Sequence, residues 1–112
     1  MTTAEITAIV KELIAASSCC AELKGVAEKY LAAVGTPAEA AAYEALLQEA
    51  REDISPIEHA IEFYESPLAT KIFGAEKANA LAAHSRERQA NGAKWCDCPA
   101  CAACAKLLGY ED

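Results

Sequence analysis

Three cysteines fall within six residues near the C-terminus of this 112-residue chain, in the order Cys96, Cys98 and Cys101. Cys98 and Cys101 have the Cys-x-x-Cys spacing at which a turn entering a helix brings two sulfurs to one metal ion. Pro99 suits the first helical position, where amide groups and the helix dipole favour thiolate. Cys96 lies on the loop side. The segment therefore predicts three metal ligands in a metal-binding tail over residues 94–108.

A tetrahedral site needs a fourth ligand, for which the remaining cysteines and the two histidines are candidates. Cys20 ranks first because it begins an apolar helical stripe at a helix junction. Cys19 ranks second, and both together would also complete a site. Cys104 lies almost two helical turns beyond Cys98, about 9 Å of rise, so we expect it to be a small core residue. We expect the histidines to lie on helix surfaces.

The metal itself is harder to predict than its ligands. Thiolates suit zinc and iron-sulfur clusters about equally well. The Cys-x-Cys-x-x-Cys pattern differs from the regular ferredoxin pattern, so zinc is the first expectation and an iron-sulfur cluster is the alternative. A thioredoxin-like disulfide between Cys98 and Cys101 would usually accompany a βαβ pattern, which the sequence lacks.

The composition favours helices as the elements that position these cysteines. Alanine, the best helix former, contributes 27 of the 112 residues, whereas aromatic residues reach only 6%. The length suits one hydrophobic core. We therefore predict an all-α fold, a compact bundle of about five to six helices with a cysteine-rich C-terminal metal loop. It forms a single helical domain over residues 1–112.

Local signals predict where these helices begin and end. Apolar residues at helical spacing indicate a first helix ending near Ala16 and a second from Cys20 to Val34. The predicted starts are Thr2 or Thr3, the capping box Thr36-Pro37-Ala38-Glu39, and Ser55-Pro56. The predicted stops and breaks are Gly35, Ser66-Pro67, Gly74 and Asn91-Gly92.

The charge balance bears on the partners of the chain. A net charge of -7 argues against a nucleic-acid partner, because phosphate binding requires clustered cations. No apolar stretch approaches the ~20 residues of a membrane span, so we expect no membrane partner. Glu5, Lys11 and Glu12 interrupt any signal-like N-terminus, which predicts a cytoplasmic protein. In a reducing compartment the cysteines are better explained by a metal ion than by disulfides. The sequence predicts no particular protein partner.

Two motifs carry a resemblance to known proteins. Ser18-Cys19-Cys20-Ala21-Glu22 and Cys96-Asp97-Cys98-Pro99-Ala100-Cys101 resemble those of small cysteine-containing all-α proteins from anaerobic Firmicutes. That group often carries the name of the ninety-kilodalton heat-shock chaperone. The name is a mislabel, because the α/β nucleotide domain of an ATP-dependent chaperone does not fit an all-α chain of this length. The resemblance implies a bacterial protein whose group has no established activity.

Three functional hypotheses follow. The first is a non-catalytic metal-binding protein in which the tail cysteines and the Cys19/Cys20 pair hold structural zinc. The second is an iron-sulfur protein for electron transfer or redox sensing. The third is a soft-metal carrier or interaction protein. An enzyme is less expected, because the sequence has no nucleophile-base pair, no phosphate loop and no ligand set with an obvious open position, and no catalytic residue is predicted.

Overall fold

The computed structural model describes residues 1–110, which form seven α-helices and no strand. The helices are α1 (Thr3–Ala15), α2 (Ala21–Ala33), α3 (Glu39–Asp53), α4 (Ile57–Tyr64), α5 (Pro67–Phe73), α6 (Ala75–Ala90) and α7 (Pro99–Leu108). The all-α prediction is confirmed. None of these seven helices combines the length and the apolar character needed to cross a membrane.

Several helix ends follow the local signals. At the start of α1, the Thr2 hydroxyl accepts a hydrogen bond from the Glu5 amide, and the Glu5 carboxylate accepts one from the Thr2 amide, each at 3.1 Å. This is a capping box. Ser66 caps α5 and Pro67 takes its first position, so the predicted break is confirmed. Gly35 follows α2 with φ at 81°, a conformation that favours glycine.

The predicted start of α3 was wrong by about two residues. The Thr36 hydroxyl donates to the Ala33 carbonyl oxygen and accepts from the Ala38 amide, so it stabilises the turn between two helices. The Glu39 carboxylate accepts a hydrogen bond from the Gly35 amide at 2.8 Å. Each side chain of the expected capping box therefore accepts from an amide one residue earlier than predicted, and the helix begins at Glu39.

The start of α4 also differs from the prediction by one residue. Pro56 is the N-cap rather than the first helical residue. Residues 55–57 lie antiparallel to residues 94–96 through a short bridge, and the Cys96 amide donates to the Ser55 carbonyl oxygen at 2.8 Å. This pairing holds Ser55 and Pro56 in an extended conformation. It also fixes the backbone at a predicted metal ligand.

The described chain divides into two compact units. The first comprises Met1–Ile54 and Asp97–Tyr110, with α1, α2, α3 and α7. Within it α7 packs against α1 and α3, and α2 packs against α1 and α3. The second unit is Ser55–Cys96, in which α6 packs against α4 and α5. The single-domain organisation expected for residues 1–112 stays a prediction.

Small side chains allow close helix packing in both units. The buried alanines are Ala27, Ala50, Ala60, Ala69, Ala78, Ala82, Ala93, Ala100 and Ala103. Nine larger aliphatic and aromatic residues are also buried, among them Leu13, Tyr30 and Leu46 in the first unit. Each alanine removes little apolar surface from water, so the larger side chains contribute most of the hydrophobic stabilisation.

The second unit allows a matched test of this core. Ile57 is 0% exposed and packs with Ile61 and Ala93, whereas Ile72 is 58% exposed. We expect Ile57→Ala to lower the free energy of unfolding of this unit by about 2–5 kcal/mol, because it leaves a cavity. Ile72→Ala should change it by less than about 0.5 kcal/mol. Urea unfolding followed by circular dichroism measures the free energy of unfolding of both variants. Equal losses of stability in Ile57→Ala and Ile72→Ala would contradict the described core.

Candidate metal centre

The three tail cysteines come together as predicted. The sulfur atoms of Cys96, Cys98 and Cys101, here called the tail triad, all lie within 4.8 Å of one another. Cys96 and Cys101 are buried and Cys98 is half-buried. Among residues 1–110 this is the one group of three or more cysteine, histidine or acidic side chains close enough to hold a metal ion.

The start of α7 sets the positions of two members of the tail triad. Cys98 is the N-cap, and its sulfur accepts a hydrogen bond from the Cys101 amide at 3.4 Å. Pro99 occupies the first helical position, as predicted, with the φ angle that a helix requires. The first turn therefore holds both sulfurs at the amide-rich end of a ten-residue helix, where negative charge is favoured.

Backbone contacts within the second unit position the third sulfur. Besides the bond from the Cys96 amide to Ser55, the Ile57 amide donates to the Lys94 carbonyl oxygen at 2.9 Å. The Arg88 guanidinium donates to the carbonyl oxygen of Trp95 at 2.8 Å. Sequence reasoning missed these contacts, because a bridge of two or three residues has no periodic pattern that would reveal it.

The spacing and chemistry of the tail triad fit a thiolate-bound metal. Zinc-sulfur bonds of ~2.3 Å in a tetrahedron place the sulfurs ~3.8 Å apart, so only small inward shifts are needed from the present spacing. Thiolates are soft ligands that suit zinc and iron-sulfur centres. The tail triad can hold a metal ion.

The other two predicted ligands lie in the linker between α1 and α2. Cys20 is the N-cap of α2, and its exposed thiol donates to the Asp53 carboxylate at 3.4 Å. The half-buried Cys19 thiol donates to the Cys20 carbonyl oxygen at 3.5 Å. This linker pair, Cys19 and Cys20, is outside the tail triad as described, so its ligand role stays a prediction.

A side chain beside the linker pair connects it to α7. The Ser18 hydroxyl accepts a hydrogen bond from the Ala100 amide at 3.2 Å. Ala100 is in the first turn of α7, where amide groups have no partner within the helix. Serine is a common acceptor at such positions, but its partner lies 82 residues away along the chain. Local sequence reasoning therefore missed Ser18.

The linker pair is protonated in the metal-free protein at neutral pH. Burial raises the pKa of Cys19 above its ordinary value, and the charges of Cys20 and Asp53 raise it further, with a smaller contribution from Cys98. Burial also raises the pKa of Cys20, although a hydrogen bond from the Leu23 amide opposes this effect. A metal ion that binds these sulfurs must therefore displace protons.

Cys104 and the histidines lie outside the tail triad. Cys104 is 1% exposed on α7, in keeping with the small core residue expected there. Burial, followed by the charge of Cys19, raises the pKa of Cys104 to about 12. His59 on α4 and His84 on α6 are exposed residues of the second unit.

Comparison with known proteins gives no relative: no protein-family model, no curated protein and no solved structure matches the chain. The resemblance to the small cysteine-containing proteins of Firmicutes stays a prediction. The geometry of the cysteines is therefore the feature of this chain that indicates its function.

Cys98 allows its capping and ligand roles to be separated. In the presence of a chelator, Cys98→Ser should be at least as stable as wild type, because a hydroxyl oxygen is a good N-cap acceptor. Cys98→Ala should lose about 1 kcal/mol, because the Cys101 amide loses its partner. Both variants should bind metal more weakly than wild type. Urea unfolding and metal titration measure these effects. Equal stabilities of Cys98→Ser and Cys98→Ala in the presence of the chelator would contradict the capping role of Cys98. Metal affinity equal to that of wild type would contradict its role as a ligand.

Proposed function

We propose that this chain is a non-catalytic metal-binding protein in which the tail triad holds a structural zinc ion. The proposal is carried by one observation, the approach of three cysteine sulfurs to within 4.8 Å. Three unrelated thiols rarely approach so closely within six residues for packing alone. Zinc is favoured over an iron-sulfur cluster because all three sulfurs are close enough to share one ion, whereas no iron atom of a cluster binds more than two protein thiolates.

We assign the fourth zinc ligand to the linker pair, with Cys19 ahead of Cys20. The bond between Ser18 and Ala100 holds the residue before Cys19 on the first turn of α7. The exposed Cys20 thiol is instead bonded to Asp53. This choice reverses the order that the sequence suggested and keeps the same pair.

The zinc ion would cross-link two segments of the chain that meet in the first unit. This unit joins two chain segments that are separated by the whole of the second unit. A metal that ties the α1–α2 linker to the start of α7 would offset part of the entropy lost in closing this long loop. The small alanine side chains of the core make such additional stabilisation useful. The cytoplasmic location of the protein remains a prediction.

A soft-metal carrier is the second candidate function. It is favoured by the exposure of Cys20, since a carrier needs thiols that a partner can reach. A structural site holds its ion closed from solvent. Removal of the metal by a chelator within seconds, without loss of helicity, would support the carrier, whereas release only on unfolding would exclude it.

Metal content tests the proposal directly. We expect protein purified aerobically to contain zinc, and Cys101→Ser to contain about one zinc ion fewer per chain. Elemental analysis normalised to protein concentration measures both. A protein without stoichiometric metal, in which all six cysteines react with a thiol reagent in the native state, would contradict the proposal.

The adjacent serines provide a matched control for the fourth ligand. Ser18→Ala removes the bond to Ala100 and should weaken zinc binding, because the linker pair is then less well placed. Ser17→Ala makes the same change one residue away and should leave zinc affinity close to wild type. Equal affinities for the two variants would argue against a ligand from the linker.

Zinc affinity should rise with pH. The raised pKa of Cys19 means that this thiol is protonated at neutral pH and releases its proton when it binds metal. Affinity should therefore fall at least about tenfold for each unit that the pH is lowered from 7.5. Competition with a chelator of known pH dependence measures this. Constant affinity down to about pH 5 would contradict thiolate ligation.

A further inference from the structure

The start of α7 is arranged for a second chemistry besides metal ligation. Cys98 and Cys101 are the N-cap and a first-turn residue of one helix, and both belong to the first unit. The Cys98 sulfur accepts a hydrogen bond from the Cys101 amide at 3.4 Å, and the two sulfurs lie within 4.8 Å of each other. Two cysteines whose side chains converge in this way form a disulfide with little movement of the backbone.

The two thiols differ in their access to solvent. Cys98 is half-buried, whereas Cys101 is only 7% exposed. Redox-sensing cysteines commonly have this arrangement, in which an accessible sulfur reacts with the oxidant and a neighbouring sulfur then resolves the product. The Cys98 sulfur also lies at the amide-rich end of a helix, a position typical of reactive cysteines. Cys98 is therefore the member of the pair that an oxidant reaches first.

Two other cysteines near this helix start are less suited to be the partner of Cys98. Cys96 lies in the second unit, where its amide is bonded to Ser55 rather than to the helix start. Cys104 is 1% exposed and lies outside the tail triad. Cys101 is thus the resolving cysteine.

We propose that the tail triad is a redox switch, in which a peroxide forms a disulfide between Cys98 and Cys101 and thereby releases the zinc ion. This inference rests on the proposed function, because zinc is the ion that the disulfide displaces. It requires no thioredoxin-like fold, since the helix start alone brings the two sulfurs together. After oxidation only Cys96 and one ligand from the linker pair remain, which is half of a tetrahedral ligand set.

The reaction consumes one hydrogen peroxide molecule for each disulfide. The Cys98 thiolate attacks a peroxide oxygen, so that a sulfur–oxygen bond forms, the oxygen–oxygen bond breaks and hydroxide leaves. The Cys101 thiolate then attacks the sulfur of this sulfenic acid, which forms the disulfide and releases a second hydroxide. The two sulfurs together lose two electrons, which reduce the peroxide, and two protons from solvent convert both hydroxides to water. Zn²⁺ leaves with its oxidation state unchanged.

Treatment of the zinc-loaded, full-length protein with hydrogen peroxide tests the inference. We expect release of about one zinc ion per chain, measured with a zinc-binding dye, and rebinding of the ion after reduction with dithiothreitol. Cys104→Ala should behave in the same way, because Cys104 takes no part in the switch. Retention of zinc in the presence of peroxide would overturn the inference and leave the proposed zinc site intact. A protein that binds no zinc would overturn both proposals.

Proteolysis of the oxidised Cys104→Ala variant under non-reducing conditions identifies the cysteines that are joined. Cleavage before Asp97 separates Cys96 from a peptide whose remaining cysteines are Cys98 and Cys101. We expect the mass of this peptide to be lower than that of its reduced form by two hydrogen atoms. A disulfide that joins it to another peptide, or zinc release accompanied only by sulfinic acid, would overturn the inference.

Cys101→Ser separates the two steps of the reaction. This variant lacks the resolving sulfur, so the sulfenic acid of Cys98 should persist and react with dimedone. Cys96→Ser is the matched control, because it removes a tail-triad sulfur of equal exposure and retains Cys101. We expect several-fold more dimedone adduct at Cys98 in Cys101→Ser than in Cys96→Ser or wild type, measured by mass spectrometry. Equal yields in the two variants would show that Cys101 does not resolve the sulfenic acid and would overturn the inference.

Discussion

The start of α7 is the constraint on which the candidate metal centre depends. The Cys98 sulfur caps this helix and is also a member of the tail triad. Its hydrogen bond from the Cys101 amide and the restricted backbone at Pro99 set the relative positions of two sulfurs. The same local geometry therefore ends the loop, begins the helix and presents two thiols to a common ion.

Contacts from distant parts of the sequence support this helix start. Within the first unit, Ser18 binds the Ala100 amide and brings the α1–α2 linker to the first turn of α7. Within the second unit, Ser55 binds the Cys96 amide and fixes the residue at which the metal-binding segment begins. Both contacts use backbone amides, so they position the segment without using any of its thiols.

The organisation of the first unit explains why a metal would be useful there. α7 returns to α1 and α3 only after the whole of the second unit, so its docking closes a long loop. Nine of the buried residues are alanines, each of which removes little apolar surface from water, and this limits the hydrophobic stabilisation available to offset that cost. Metal ligation adds stabilisation that does not depend on side-chain size.

The sequence by itself determined the all-α class, most helix boundaries and the tail triad. These follow from local rules: alanine favours helix, Ser66-Pro67 separates two helices, and Cys98-Pro99 begins the last one. Only the tertiary structure decided where α4 begins, that Ser18 and Ser55 hold the metal-binding segment, and that Asp53 lies beside Cys20. Each of these depends on a contact between residues more than thirty positions apart, and one short hydrogen-bonded contact leaves no periodic pattern in the sequence.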